Sequence, residues 1–362
     1  MAEDPLFTLV TTTIAVPRLL EDYAHDALEH GRRIEQFLVA GDRKSPPETR
    51  DFCASLESGT GIPCRFLGVE EQERLLERWP ELARYLPWNS IQRRNVALLA
   101  AWEGDADVVV TIDDDNLLAR PDYFGSHAHL GRELEVETVS SRTGWWNVCE
   151  LLEEERGLPL FHRGFPLSQR RRAGPAGRST ARVRPVVNGG LWLGDPDVDA
   201  LTRLDLEPAV ARERETGPIA LAPGTWSPFG SQNTALLREV LPAYFLLPYV
   251  GRYDDVWAGY VVRRLADELG DVVTYGAPYV RHERNEHDAW RDLDDERFGI
   301  THTDVFLDAL GACAISADDY ASAYAEVAEQ LPGELARAGG RAAEFDRVCE
   351  GLRLWAGVFA TV

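Results

Sequence analysis

Lysine is almost missing from this chain: of 38 basic residues only Lys44 is not an arginine, a coding bias without functional content. Positive charge is scarce as a whole, with 60 acidic residues and a net charge of −22. That balance argues against a nucleic-acid or anionic-membrane partner, which would want a basic face, and leaves room for a local basic pocket. The five cysteines (53, 64, 149, 313, 349) are odd in number, widely spaced and without a C-x-x-C pair, so neither a disulfide framework nor a zinc site is indicated. No apolar run approaches the roughly 18–20 residues of a membrane-spanning helix. Met1-Ala2-Glu3-Asp4 is acidic where a secretory signal is basic, which predicts a soluble cytoplasmic protein. A G-x-G-x-x-G fingerprint and a G-x-x-x-x-G-K-[ST] loop are both missing, which removes the main support for dinucleotide-binding and ATPase readings.

What is present is organised around Asp107-Val108-Val109-Val110-Thr111-Ile112-Asp113-Asp114-Asp115-Asn116. A short β-branched run reads as a strand buried on both faces of a parallel sheet. Three carboxylates at its end cannot all be buried unpaired, because isolated charges out of water are very costly. They belong in the crevice where open α/β sheets bind ligands. Hard oxygen donors there suit Mg²⁺ or Mn²⁺ bridging carboxylates and substrate phosphates; an acidic turn is the plainer alternative.

The first 115 residues alternate strand and helix. Leu6 to Ile14, Ile34 to Val39 and Pro63 to Val69 are predicted strands; Leu19 to Gly31 and Glu70 to Trp79 are predicted helices. This predicts an α/β fold with a doubly wound, mostly parallel central sheet and helices on both faces. Asn89-Ser90 is an N-cap for a helix through Trp102, and Arg94 and Asn95 fall on or beside its apolar face. Polar groups there need partners, either the sheet or a ligand above it.

Between Glu155 and Asp195 there is no acidic residue, while eight arginines occur (156, 163, 170, 171, 172, 178, 182, 184). With Gly174, Pro175 and Gly177 inside it, this segment is expected to be a mobile basic loop able to fold over phosphates. Val186 to Leu193 is a strand whose Gly189-Gly190 implies close approach of another group. Gly224 to Leu237 is expected to lead into a helix. In Gly251-Arg252-Tyr253-Asp254-Asp255-Val256-Trp257-Ala258, Asp254 and Asp255 lie in the first turn of a helix, toward its buried side. Carboxylates there can simply offset the helix dipole, or serve an active site. Val272 to Val280 is a late strand followed by His282, and residues 303–362 are helical with a break at Leu331-Pro332-Gly333.

In this order, Ile112-Asp113-Asp114-Asp115, Phe161-His162-Arg163-Gly164-Phe165-Pro166-Leu167-Ser168-Gln169-Arg170, Asn188-Gly189-Gly190-Leu191-Trp192-Leu193 and Gly251-Arg252-Tyr253-Asp254-Asp255-Val256-Trp257-Ala258-Gly259 resemble the reversibly glycosylated polypeptide family, which includes the plant UDP-arabinopyranose mutases. The resemblance spans roughly residues 5 to 300. It implies a GT-A-type fold at 1–300 with a helical C-terminal extension at 301–362, a divalent metal (Mn²⁺ or Mg²⁺) at the acidic motif, and pyranose–furanose interconversion of a nucleotide sugar. It also implies that Arg163 matches the arginine that becomes glycosylated and Arg170 the second required arginine. The chain departs from the family in its longer, more basic segment from Arg171 to Arg184 and in Asn116, where a cysteine is usual. It is similar as well to bacterial GDP-sugar mutases of antibiotic pathways, so UDP and GDP both stand.

On this reading Thr11, Thr12, Asp42 and Lys44 hold the base and ribose, Arg93, Arg94 or Asn95 add contacts from the helix before the acidic strand, and Asp113 and Asp114 contact the nucleotide. Asp113, Asp115 and His282 hold the metal, while Arg163, Arg170, Asp254 and Asp255 carry the chemistry. Arg163 is either a covalent nucleophile, with Asp254 or Asp255 taking its proton, or a phosphate clamp, since a guanidinium stays protonated. A glycosyltransferase using the same donor and a non-catalytic subunit of a mutase complex are the alternatives. The tail beyond residue 300 is assigned to packing or homo-oligomer contacts.

Overall fold

A computed structural model of the chain describes residues 4–172, 174, 176–215, 217–283 and 288–360. Its first third is the alternation expected: β1 (Leu6–Thr12), α1 (Leu20–Glu29), β2 (Arg33–Ala40), α2 (Glu48–Thr60), β3 (Cys64–Leu67), α3 (Val69–Leu76) and α4 (Pro80–Tyr85) lead to α5 (Arg94–Trp102) and β4 (Val108–Asp113). Strands β1, β2, β3 and β4 are mutually parallel where they pair. Val108, Val109, Val110 and Ile112 are fully buried, which is why the run carries no polar alternation.

The second half adds β5 (Asn116–Leu118), β6 (Leu134–Ser140), β7 (Leu152–Glu154), β8 (Gly177–Val183), β9 (Pro185–Gly194), β10 (Val210–Glu213), β11 (Ile219–Leu221), β12 (Asn233–Leu237) and β13 (Val272–His282). The resulting mixed sheet runs β3-β2-β1-β4-β12-β9-β13-β11-β6-β8. Helices α6 (Leu167–Arg170), α7 (Ala200–Leu206) and α8 (Asp254–Leu269) punctuate this half, and α9 (Ala289–Ala312), α10 (Tyr320–Arg337) and α11 (Ala342–Phe359) end it. Among the described residues no helix is long and apolar enough to cross a membrane.

Gly224 to Leu237 does lead into a helical segment, the short 3-10 helix Arg238–Ala243, but by way of strand β12 (Asn233–Leu237), antiparallel to both β4 and β9 at the sheet centre. Its five residues are buried throughout, and a run so short has no periodicity to separate strand from helix. The basic segment is not a free loop: residues 177–183 form β8 on the sheet edge, antiparallel to β6. There Arg178 pairs with Glu137 and Glu215, and Arg182 with Glu133; Pro175 lies outside the described residues. Helix α10 continues through Pro332. Burial of Tyr320, Ala323, Tyr324, Val327, Ala328, Leu331 and Leu335 outweighs the roughly 3 kcal/mol that an interior proline costs. Helix α9 (Ala289–Ala312) runs across residues 300 and 301.

The close approach inferred from Gly189-Gly190 is real but internal. A Cβ on Gly189 would stand 3.0 Å from the Tyr275 ring, and one on Gly190 2.4 Å from the Asn233 amide.

Candidate active site

One cavity of about 510 Å³ opens where β1 and β4 end, where β12 begins and where α8 starts. Its walls include Thr12, Gln92, Arg94, Asp113, Asp114, Asp115, Arg163, Asp197, Arg203, Ser231, Arg252, Asp254, Asp255 and His282. A smaller cavity of about 270 Å³ adjoins it through Thr12, Ile91 and Asp114, and is further lined by Asp42, Ser90 and Arg93. The position follows from topology, since the carboxyl ends of parallel strands leave backbone and side chains facing a common crevice.

The acidic strand end is held open by local partners. Arg94 is fully buried and donates to Asp113 (2.6 Å), Thr12 Oγ1 (2.9 Å), the Ile112 carbonyl (3.2 Å) and Ser231. Thr13 donates to Asp114 at 2.6 Å; burial nevertheless raises the Asp114 pKa. Asp115 faces His282 Nε2 at 3.3 Å, and the other ring nitrogen lies 2.8 Å from the Asp195 carbonyl. A carbonyl can only accept, so Nδ1 carries a proton and Nε2 is turned to Asp115.

The opposite wall is a charged lattice around Arg163, which is 7 % exposed. Its Nε donates to Asp197 (2.8 Å), Nη2 to Asp197 (3.1 Å) and Asp255 (3.3 Å), and Nη1 to Asp255 (3.0 Å) and the Arg252 carbonyl. All five guanidinium N–H groups are thereby committed. Burial alone would lower the Arg163 pKa, but the two carboxylates drive it well above the ordinary value. Burial likewise opposes ionisation of Asp197 and Asp255, and the Arg163 cation more than reverses this, so both are depressed. Asp255 also accepts from the Ser231 N–H at 2.8 Å. Glycine is required at 230, where a Cβ would stand 2.6 Å from the Asp255 carboxylate. At Gly251 φ is +67° and a Cβ would overlap the Asp295 carbonyl.

Asp254 differs from its neighbour. Gln92 donates to it at 2.6 Å, but burial and the adjacent Asp255 charge push its pKa up to about 7. A carboxyl raised on folding holds a proton in the native state where the unfolded chain has lost it. Stability therefore falls as pH rises between the ordinary carboxylate value and about 7. The Asp254→Asn variant mimics the protonated form. Its melting temperature should match wild type near pH 4.5 and exceed it above pH 7, in parallel thermal scans. An unchanged difference across that range would show that Asp254 does not titrate there.

Several expected site residues sit elsewhere. Thr11 is fully buried and lines neither cavity. Lys44 is exposed and lines neither. Asn95 is a structural clasp, donating to the Leu246 carbonyl at 2.8 Å and accepting the Leu246 N–H at 2.9 Å. Arg170 lies outside the cavity, held by Asp199 and Thr202 with its guanidinium 5.2 Å from the Phe161 ring centre. Since Asp199 also caps α7 through the Thr202 N–H, Arg170 braces that helix. Asp113, expected as a metal ligand, has one oxygen taken by Arg94. Asp42 and Arg93 line the small cavity, with Arg93 3.8 Å over the Trp88 ring centre.

Asp197, Gln92, Ser231 and Arg203 are the site residues that sequence reading missed. Asp197 had a detectable signal, being one of three acids in Asp195-Pro196-Asp197-Val198-Asp199 directly after the glycine-interrupted strand. The others carried none.

Comparison with known proteins identifies the family. The family described as reversibly glycosylated polypeptide matches residues 107–362. A probable UDP-arabinopyranose mutase 1 of Pisum sativum is 31% identical over 236 residues, 63% of this chain and 61% of the relative. UDP-arabinopyranose mutase 1 of Arabidopsis thaliana is 34% identical over 183 residues, 49% of this chain and 48% of the relative. The matched region thus spans about half to three-fifths of these relatives. Among solved structures, glucosyl-3-phosphoglycerate synthase of Mycobacterium tuberculosis with Mn²⁺ and UDP aligns over 84% of this chain and 80% of that one, at TM-score 0.42 and 13% identity. With the family match covering the acidic strand, the Arg163 segment and the Asp254-Asp255 helix together, the chain belongs to the reversibly glycosylated polypeptide family.

Proposed function

We propose that this chain is a divalent-metal-dependent nucleotide-sugar mutase, interconverting the pyranose and furanose forms of a UDP- or GDP-linked sugar. The observation that carries the reading is the sharing of one cavity by Asp113–Asp115 with His282 on one wall and Arg163 between Asp197 and Asp255 on the other. The names of the relatives support the same chemistry. The smaller cavity, with Thr12, Asp42 and Arg93, suits the nucleoside.

Among the described residues no three carboxylate, imidazole or thiol groups form a ready-made metal cluster. Asp115 and His282 nevertheless fit an ion that takes its remaining ligands from diphosphate and water, as Mg²⁺ and Mn²⁺ commonly do. The Nδ1–H to Asp195 carbonyl bond is the outer support typical of a metal-ligating histidine. When bound, the ion supplies positive charge to the departing diphosphate.

The protein's own groups then act on the sugar. On the covalent route an Arg163 nitrogen attacks the anomeric carbon as the C–O bond to diphosphate breaks and gives its proton to Asp255, which contacts both terminal nitrogens. The raised Arg163 and depressed Asp255 pKa values oppose that transfer, so it must be coupled to departure of the diphosphate. Asp254, protonated to about pH 7, is the second proton carrier beside it. While the sugar is joined to Arg163, its bond from C1 to the ring oxygen breaks as C1–N becomes C=N and the oxygen takes a proton from Asp254. Another hydroxyl then adds to C1 and returns its proton to Asp254, and the diphosphate oxygen displaces Arg163, which recovers its proton from Asp255. A phosphate-clamp role for Arg163 is disfavoured because it has no N–H left to give.

Purified protein incubated with Mn²⁺ or Mg²⁺ and a panel of UDP- and GDP-hexoses and pentoses should yield a new nucleotide-sugar peak of unchanged mass on liquid chromatography. Free nucleotide without an isomer across the panel would overturn the mutase in favour of a transferase.

A further inference from the structure

Four arginines line the main cavity: Arg94, Arg163, Arg203 and Arg252. A diphosphate needs N–H donors there, and the first two have little to offer. Both terminal nitrogens of Arg94 are taken by Asp113, Thr12, Ser231 and the Ile112 carbonyl, which leaves it a single buried Nε–H, and all five donors of Arg163 are taken as above. Arg252 faces two carboxylates, Glu296 at 3.3 Å and Asp292 at 3.7 Å. Arg203 faces one. Its Nη1 donates to the Asp195 carboxylate and its Nη2 to the Pro196 carbonyl, while its buried Nε–H has no acceptor among the described residues.

The position of Arg203 is as informative as its spare capacity. Asp195, which pairs with it, also offers the carbonyl that orients His282. Pro196, which accepts from it, adjoins Asp197, the partner of Arg163. Arg203 therefore stands between the metal-side corner and the sugar-side corner, where the phosphate next to the sugar must lie. Its helix, α7, is braced from behind by Asp199 and Arg170.

We infer that Arg203 is the phosphate-binding arginine of this site, donating to the sugar-side phosphate of the nucleotide sugar and to the diphosphate once it leaves. The inference rests on the nucleotide-sugar reading above. In plain terms, the arginines named by the family motif are committed to the protein's own carboxylates, and an arginine outside that motif receives the leaving group.

Calorimetric titration of UDP and GDP, each beside UMP and GMP, into wild type and Arg203→Ala in the presence of Mg²⁺ tests this. The variant should lose about 10- to 100-fold in affinity for the preferred diphosphate, the range of a charge-assisted phosphate contact, and less than about threefold for its monophosphate. Arg203→Lys, which keeps the charge, should recover part of the loss, and Arg252→Ala should leave the diphosphate-to-monophosphate ratio unchanged. An unchanged ratio in Arg203→Ala, whether both affinities hold or both fall with the melting temperature, would overturn the inference while leaving the function intact. A wild-type protein that binds neither diphosphate would instead overturn the nucleotide-sugar reading, and this inference with it.

Discussion

Replacing Arg163 with alanine should cost both activity and much of the fold's stability. The guanidinium links Asp197 to Asp255, and both carboxylates are buried. Removing one partner of a buried ion pair costs about 3–5 kcal/mol, because the remaining charge is left uncompensated. Here two carboxylates lose their cation at once. Their depressed pKa values should rise, so the variant should take up protons near neutral pH and be least stable at high pH. Arg163→Ala combined with Asp197→Asn and Asp255→Asn should recover most of the stability and none of the isomerisation, separating the two roles. Denaturant midpoints with turnover on the same preparations decide it. A single Arg163→Ala variant as stable as wild type would mean that the charged lattice does not hold in solution.

The second large effect is expected at the acidic strand end. Asp115→Asn should lower turnover on the order of 10³-fold, the scale of several kcal/mol of charge stabilisation of the diphosphate. Because Asp115 faces the cavity, the fold should persist. His282 should lose its charge partner, so its imidazole pKa, which Asp115 holds above normal against the cost of burial, should drop. Mn²⁺ titration followed by electron paramagnetic resonance gives an independent reading: the variant should bind the ion more weakly before any substrate is added. Full turnover in chelator-treated Asp115→Asn would exclude a metal at this position.

Much of the fold was readable because its signals are short-range. The strand of Val108 to Ile112 is buried throughout and carries no charged residue before Asp113. Ser90 accepts the Gln92 N–H at the start of the turn into α5, as an N-cap residue should. Asp254 and Asp255 do lie in the first turn of α8, and both are buried. Where local pattern was ambiguous, tertiary packing decided. Asn233–Leu237 became a central strand because β4 and β9 sandwich it, and α10 kept its helix through Pro332 because its apolar face is buried. Asn95 and Thr11 were misassigned for a related reason. A polar residue near a strand end or at a helix start can point up to a ligand or down into the core, and nothing in its neighbours says which.

Composition and motif alone thus determined the class of this protein: an acidic, arginine-rich α/β chain with a carboxylate cluster at a strand end and the arginine and paired aspartates of its family. Those properties reside in contiguous residues, where burial and helix-start chemistry leave a mark on the sequence. Only the tertiary structure decided which charges meet. Arg163 finds Asp197 34 residues away and Asp255 92 away, and Gln92 reaches Asp254 across 162. The physical reason is that a charge must be neutralised by whatever lies within a few ångströms in space, and the sheet topology, not the spacing along the chain, sets those neighbours.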